Sequence, residues 1–163
     1  MTGHTIHYES WTPEELVGLL DDYERSAPAS LRDLWHAHIR ATPECTFEGW
    51  NAQQESHMYD QVTTSLRTNA RMYLNALPKA KDLGHATHLL DSARLATAAL
   101  LHYELLVRMY PQAAQIELQR GELGATGHTA ILQKINQHPT GGIRDYVDNV
   151  GRYYSLPRSS VSQ

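Results

Sequence analysis

Apolar side chains recur at three- and four-residue intervals along most of this chain, the period of an amphipathic α-helix. No segment shows the sustained alternation that marks a strand. The first element has a defined start. Thr12-Pro13-Glu14-Glu15 puts a hydroxyl at the N-cap, proline at the first helical position and glutamate at the third, which makes a capping box. Leu16, Leu19, Leu20 and Tyr23 then share one face, to about Arg25. Ser26-Ala27-Pro28 predicts a break, followed by a second helix over 28–41 with Leu31, Leu34, Trp35, His38 and Ile39 inward. That helix stops before Thr42-Pro43, because a residue preceding proline avoids the helical region.

The segment 42–50, with Pro43, Cys45, Phe47 and Gly49, reads as a loop. A third helix is expected over 52–77. Met58, Val62, Leu66, Ala70, Tyr73, Leu74 and Leu77 form its stripe, while Gln61, Thr64, Arg67, Thr68 and Arg71 lie on or near its wet side. A fourth helix, over 81–110, has Leu83, Leu90, Leu101 and Leu105 on one side and Leu95, Ala99 and Leu106 nearly opposite. A helix apolar on all sides is normally enclosed by neighbours, so this one, roughly 40 Å long, is the expected centre of the molecule. Shorter helices follow over 111–122, 129–137 and 142–154, punctuated by Gly121, Gly124 and Gly127 and by Pro139-Thr140-Gly141-Gly142. The pattern predicts an all-α, single-domain bundle of about six to seven helices over 1–163, wrapped around the long helix at 81–110. Residues 1–10 and 155–163 are expected to be flexible.

Composition narrows the class. A chain of 163 residues with 41% apolar and 20% charged side chains has the make-up of one ordinary globular domain. Its single cysteine, Cys45, excludes an intramolecular disulfide and favours a reducing compartment. The opening residues lack the basic and apolar regions of a secretion signal. No run approaches the ~20 apolar residues of a membrane helix; the richest, 95–110, is broken by His102, Glu104 and Arg108. A cytoplasmic protein is expected. Its charge is uneven: residues 1–60 carry eleven acids against three arginines, net −8, and residues 61–163 carry eleven bases against seven acids, net +4. Such asymmetry suits either different partners for the two parts or two faces that attract each other within one fold.

Ten histidines raise the question of a metal. Asp82, His85, His88 and Asp91 recur at three-residue steps, so His85, His88 and Asp91 are candidate ligands. Successive i+3 steps rotate around a helix, however, and all four residues cannot converge on one ion. The paired Glu-x-x-His of a di-iron bundle and the His-Glu-x-x-His of a zinc protease are both absent. His36 and His38 point to nearly opposite sides of their helix, and polar structural roles are the plainer expectation for these histidines. Glu104 and Arg108, at i,i+4 among leucines, suit an internal ion pair better than a general acid. His88, Leu95 and His102 make a heptad-spaced stripe, which turns His102 toward a neighbouring helix. Cys45 stands beside Glu44 and Glu48, whose charge disfavours a thiolate.

The glycine-rich stretch Gly121-Glu122-Leu123-Gly124-Ala125-Thr126-Gly127-His128-Thr129 fails as a phosphate loop, since Glu122 and His128 stand where glycine and lysine are needed. Leu123 to Ile135 instead resembles the turn and recognition helix of helix-turn-helix DNA-binding proteins. The resemblance implies a turn at Gly124, a cap at Thr126, Ala125 and Ile131 packed inward, and His128, Thr129, Gln133 and Lys134 toward the major groove. It covers about 116–136, and Arg120, Gly127 and the scarcity of basic residues depart from the pattern. Further on, Tyr146, Tyr153 and Tyr154 are candidate interface residues, because tyrosine joins apolar area to a polar tip.

No catalytic set converges in the sequence. The leading expectation is a non-enzymatic helical interaction or regulatory protein, without cofactor, acting through a protein partner or self-association. A DNA-binding regulator using 116–136 is the first alternative, and a small metal-dependent helical-bundle enzyme using His85, His88 and Asp91 is the second.

Overall fold

The capping box at the start of the first helix forms as the sequence dictates. The Thr12 hydroxyl accepts from the Glu15 N–H at 3.1 Å, and the Glu15 carboxylate accepts from the Thr12 N–H at 2.9 Å. Two amides that no helical carbonyl can reach are thereby satisfied. From this cap α1 runs Pro13–Ala41 in a computed structural model that describes residues 10–41 and 52–119, together with Val147 and Arg152.

The two helices expected on either side of Pro28 are therefore one. An internal proline costs a helix about 3 kcal/mol, through its missing N–H and the clash of its ring with the preceding turn. Against that, Leu16, Leu20, Tyr23, Leu31, Trp35 and Ile39 form a single buried stripe that crosses the proline. Burying side chains of this size contributes about 1.5–3 kcal/mol each, so tertiary packing outweighs local propensity. Ser26 and Ser30 turn their hydroxyls back onto the Asp22 and Ser26 carbonyls at 2.9 and 3.3 Å.

Helix α2 spans Ala52–Ala76 and passes into a 3-10 turn, Leu77–Lys79, at Pro78. Helix α3 spans Leu83–Met109; its N-cap Asp82 accepts from the His85 N–H at 2.8 Å. Helix α4, Pro111–Gln119, follows Tyr110 directly. Among the described residues the chain is entirely helical apart from short connections, with no strand. The helices expected over 129–137 and 142–154 fall outside the described residues except for Val147 and Arg152, as does the segment 42–50 with Cys45.

Cross-helix contacts fix the directions. Asp21 pairs with Arg71, Arg32 with Asp60, and Trp35 stacks on Tyr59, so residue numbers fall along α2 as they rise along α1. These two helices are antiparallel. Arg94 reaches the Trp11 carbonyl and Arg108 reaches Ser30, so α3 runs parallel to α1. Helix α3 packs against α1, α2 and α4. Its second half meets the expectation of a helix enclosed on all sides, with Ala96 to Leu100, His102, Tyr103, Leu105 to Val107 and Met109 all buried. Its first turn does not: Leu83, expected on an inward face, is 82% exposed. The leucine lies before the level at which α1 begins to cover α3, since Trp11 meets Arg94.

The Arg94 contact secures this end of the molecule. Arg94 donates from Nε to the carbonyl of buried Trp11 at 2.9 Å and from Nη1 to Asp91 at 3.2 Å. A hydrogen bond from a charged donor contributes about 1.5–3 kcal/mol. Arg94→Met, which keeps most of the stem, is expected to lower the urea unfolding free energy by about 2 kcal/mol with an unchanged m-value. A loss within experimental error would show that the Trp11 carbonyl does not depend on Arg94.

Candidate functional site

Two polar regions stand out, and both lie between α1 and α2. The first is an open groove of about 660 Å³ lined by Glu24, Arg67, Thr68, Arg71, Met72, Asn75, Ala76 and Lys79. The α2 side chains repeat at three- and four-residue steps, so they present one continuous ridge. Arg71 is held at its foot by Asp21 at 2.6 Å and Glu24 at 2.7 Å. Each of these partly exposed pairs contributes only about 0–1 kcal/mol; their effect is to fix where the guanidinium points. Arg67 and Lys79 make no ion pair among the described residues. Met72, between them, is 52% exposed, and Val17 on the adjoining helix is another large apolar side chain left in contact with solvent.

The second region lies at the edge of the core. Buried Tyr23, Tyr59 and Thr63, half-buried Asp60 and Arg67, and exposed Arg32 and Thr64 line a cavity of about 20 Å³, room for one water-sized particle. Arg67 lines both the cavity and the groove. The Tyr59 hydroxyl is buried with no hydrogen-bond partner among the described residues, as are Trp35 Nε1 and Thr97 Oγ1. Burial pushes the Tyr23 phenol up to about 12, with the Glu104 charge adding to it. Burial pushes Tyr59 up further still, again reinforced by nearby negative charge. Both are therefore neutral O–H groups at physiological pH.

Glu104 and Arg108 form the ion pair expected from their spacing, with Nε to Oε2 at 3.4 Å, and Arg108 also reaches the Ser30 hydroxyl. Burial raises the Glu104 carboxyl more than Arg108 lowers it. Its stabilising contribution is therefore present in full below the ordinary carboxylate range and is lost as pH rises through its raised folded-state value. At the far end of α1, His38 Nε2 lies 2.9 Å from Gln115 Oε1, which ties α1 to α4. His102 is fully buried with its ring edge-on to Tyr103, as the heptad-spaced stripe implies, while His88 on the same stripe is exposed.

The candidate metal ligands are occupied separately. His85 Nδ1 accepts from the Lys81 N–H at 3.1 Å, Asp82 caps α3, Asp91 pairs with Arg94, and His88 is exposed. Among the described residues no three His, Cys, Asp or Glu side chains come together as a metal site. Capping explains the Asp82 and His85 part of the motif: an aspartate before a helix and a histidine in its first turn both serve backbone amides. His128, Thr129, Gln133 and Lys134, together with Tyr146, Tyr153 and Tyr154, lie outside the described residues. No described helix is long and apolar enough to cross a membrane.

Spacing puts Arg67, Thr68 and Arg71 on the wet side of their helix, but spacing alone does not single them out as a site. The sequence carries part of the signal, since Arg67 and Arg71 stand four residues apart on the wet side of their helix. The acids that anchor Arg71 lie some fifty residues earlier, and only the tertiary register shows which cations stay uncompensated. The chain matches no protein-family model, and no curated protein or solved structure is significantly similar to it.

Proposed function

We propose that this chain is a non-enzymatic, cytoplasmic helical interaction protein that acts through protein–protein contact on the outer face of α1 and α2. The observation that carries the reading is the groove itself: two uncompensated cations flank an exposed methionine on one ridge. Apolar area supplies affinity, and charges of one sign select partners of the other. The partner chemistry that fits is an acidic protein segment with an apolar residue for Met72. Nucleic acid fits less well, because phosphate backbones are held by many cations, and here Asp21 and Glu24 already neutralise part of the patch. The single cysteine is what supports a reducing, cytoplasmic setting.

The test is differential affinity capture from the native host, with the wild-type chain and Arg67→Glu/Lys79→Glu side by side. The expected result is one or more identified proteins, or the chain itself, whose recovery falls at least about tenfold, equivalent to about 1.4 kcal/mol, in the variant. Equal recoveries throughout would sink the reading. A salt-dependent shift of duplex DNA, unaffected by these two substitutions and lost in Gln133→Ala/Lys134→Ala, would replace it with the DNA-binding alternative.

A further inference from the structure

The groove has an acidic counterpart beside it. Glu14, Val17, Asp21 and Glu24 recur at three- and four-residue steps, so they line one side of α1, and the Asp21 and Glu24 contacts with Arg71 show that this side faces α2. Glu14 is exposed and makes no ion pair among the described residues. Val17 is 39% exposed on this same ridge. The face thus carries an acidic rail on α1 and a basic rail on α2, each with one exposed apolar side chain.

We propose that the partner for this face is a second copy of the chain, in an isologous dimer that lays α1 of each copy along α2 of the other. This rests on the interaction reading above and names its occupant. The antiparallel register set by Asp21–Arg71, Arg32–Asp60 and Trp35–Tyr59 continues to place Glu14 level with Lys79. It likewise places Glu24 close to the level of Arg67 and Thr68. A two-fold axis along the bundle therefore brings Glu14 of one copy opposite Lys79 of the other. The same rotation leaves Val17 level with Asn75 and Ala76, about one helical turn from Met72, and turns Arg67 toward the acidic rail. Because an isologous contact is made twice, every complementary pair counts double.

Gly18 bears on this independently. It sits on the outer surface of α1, and a Cβ built there would have nothing within 4 Å. A helix-interior glycine is unfavourable relative to alanine, and nothing in the chain's own packing calls for one. A bare backbone at that point lets a neighbouring helix come close.

Charge reversal at Glu14 and Lys79 tests the proposal at two exposed positions that have no ionic partner to lose among the described residues. Sedimentation equilibrium of the full chain at low salt should show a dimer that weakens as salt is added. Glu14→Lys alone, and Lys79→Glu alone, should each weaken self-association at least about tenfold. Mixed in equal amounts, the two variants should dimerise again. In the mixed dimer the reversed Lys79 of one copy meets the reversed Glu14 of the other, and the second contact is wild-type. A wild-type chain that stays monomeric, or variants that do not recover on mixing, would overturn the dimer. If affinity capture then still yields a distinct protein lost in Arg67→Glu/Lys79→Glu, the interaction reading stands with another occupant. If it yields none, both fail.

Discussion

Trp35→Ala is expected to lower the unfolding free energy by about 3–5 kcal/mol, the range for truncating a large buried aromatic residue. Trp35 is fully buried on the part of α1 that follows Pro28, and its ring stacks on Tyr59 of α2 with centroids 5.1 Å apart and planes 22° from parallel. His38 lies against its other neighbourhood at 5.7 Å. The indole is thus a principal contact holding the second half of α1 to α2, the half that the proline would otherwise release. Its Nε1 has no partner among the described residues, so the loss comes from packing and not from a hydrogen bond. Trp35→Phe, which keeps an aromatic ring against Tyr59, should therefore cost markedly less than Trp35→Ala. Urea denaturation followed by far-UV circular dichroism reads both values. Equal losses in the two variants would show that a smaller aromatic ring recovers none of the indole's packing against Tyr59.

The same tryptophan shows what the sequence made legible. Leu16, Leu20, Tyr23, Leu31, Trp35 and Ile39 are readable as inward-facing from spacing alone, and the Thr12 capping box is a local signal with a local outcome. Pro28 misleads because a break is judged from the two residues beside it, whereas the helix continues on account of buried side chains further off, Leu20 and Tyr23 before it and Leu31 and Trp35 after it. Tyr59 and Thr63 were absent from the expected stripe of α2 for a related reason. They face α1 at an angle set by how the helices cross, and Thr63 satisfies its own hydroxyl on the Tyr59 carbonyl at 2.9 Å, so a polar residue sits inside without a distant partner. Leu83 errs the other way, apolar yet exposed, because α3 begins before the level at which α1 covers it.

The candidate site was the least legible part, for the same physical cause. Glu104 and Arg108 are neighbours on one helix, and their pairing follows from i,i+4 spacing. The groove depends on which charges remain after Asp21 and Glu24 have taken Arg71, and that requires knowing that α1 and α2 are antiparallel. The −8 and +4 halves of the sequence hinted at complementary faces. In the structure part of that attraction is internal, through Asp21, Glu24 and Arg71, and part is left over at Glu14, Arg67 and Lys79.

The interior beneath the groove makes stability fall steeply in alkali. Tyr23 and Tyr59 keep their protons in the folded chain well above the ordinary phenol value of 10, Tyr23 to about 12. In the unfolded chain both ionise near 10. Below pH 10 neither state loses a proton and the contribution is constant. Above it the unfolded state sheds protons that the folded state retains, so stability declines as pH rises through the window between 10 and the folded-state values. At pH 11 two such phenols together cost about 3 kcal/mol relative to pH 9, a large share of the 5–15 kcal/mol typical of a domain. Tyr23→Phe/Tyr59→Phe should flatten this decline while leaving neutral-pH stability within about 1–2 kcal/mol. The Tyr59 hydroxyl has no partner among the described residues to lose, and the ring that stacks on Trp35 is kept. Unfolding free energies measured from pH 8 to 11.5 for both proteins decide the matter. A double variant whose stability falls as steeply as the wild type would place the titrating groups elsewhere than in the α1–α2 interior.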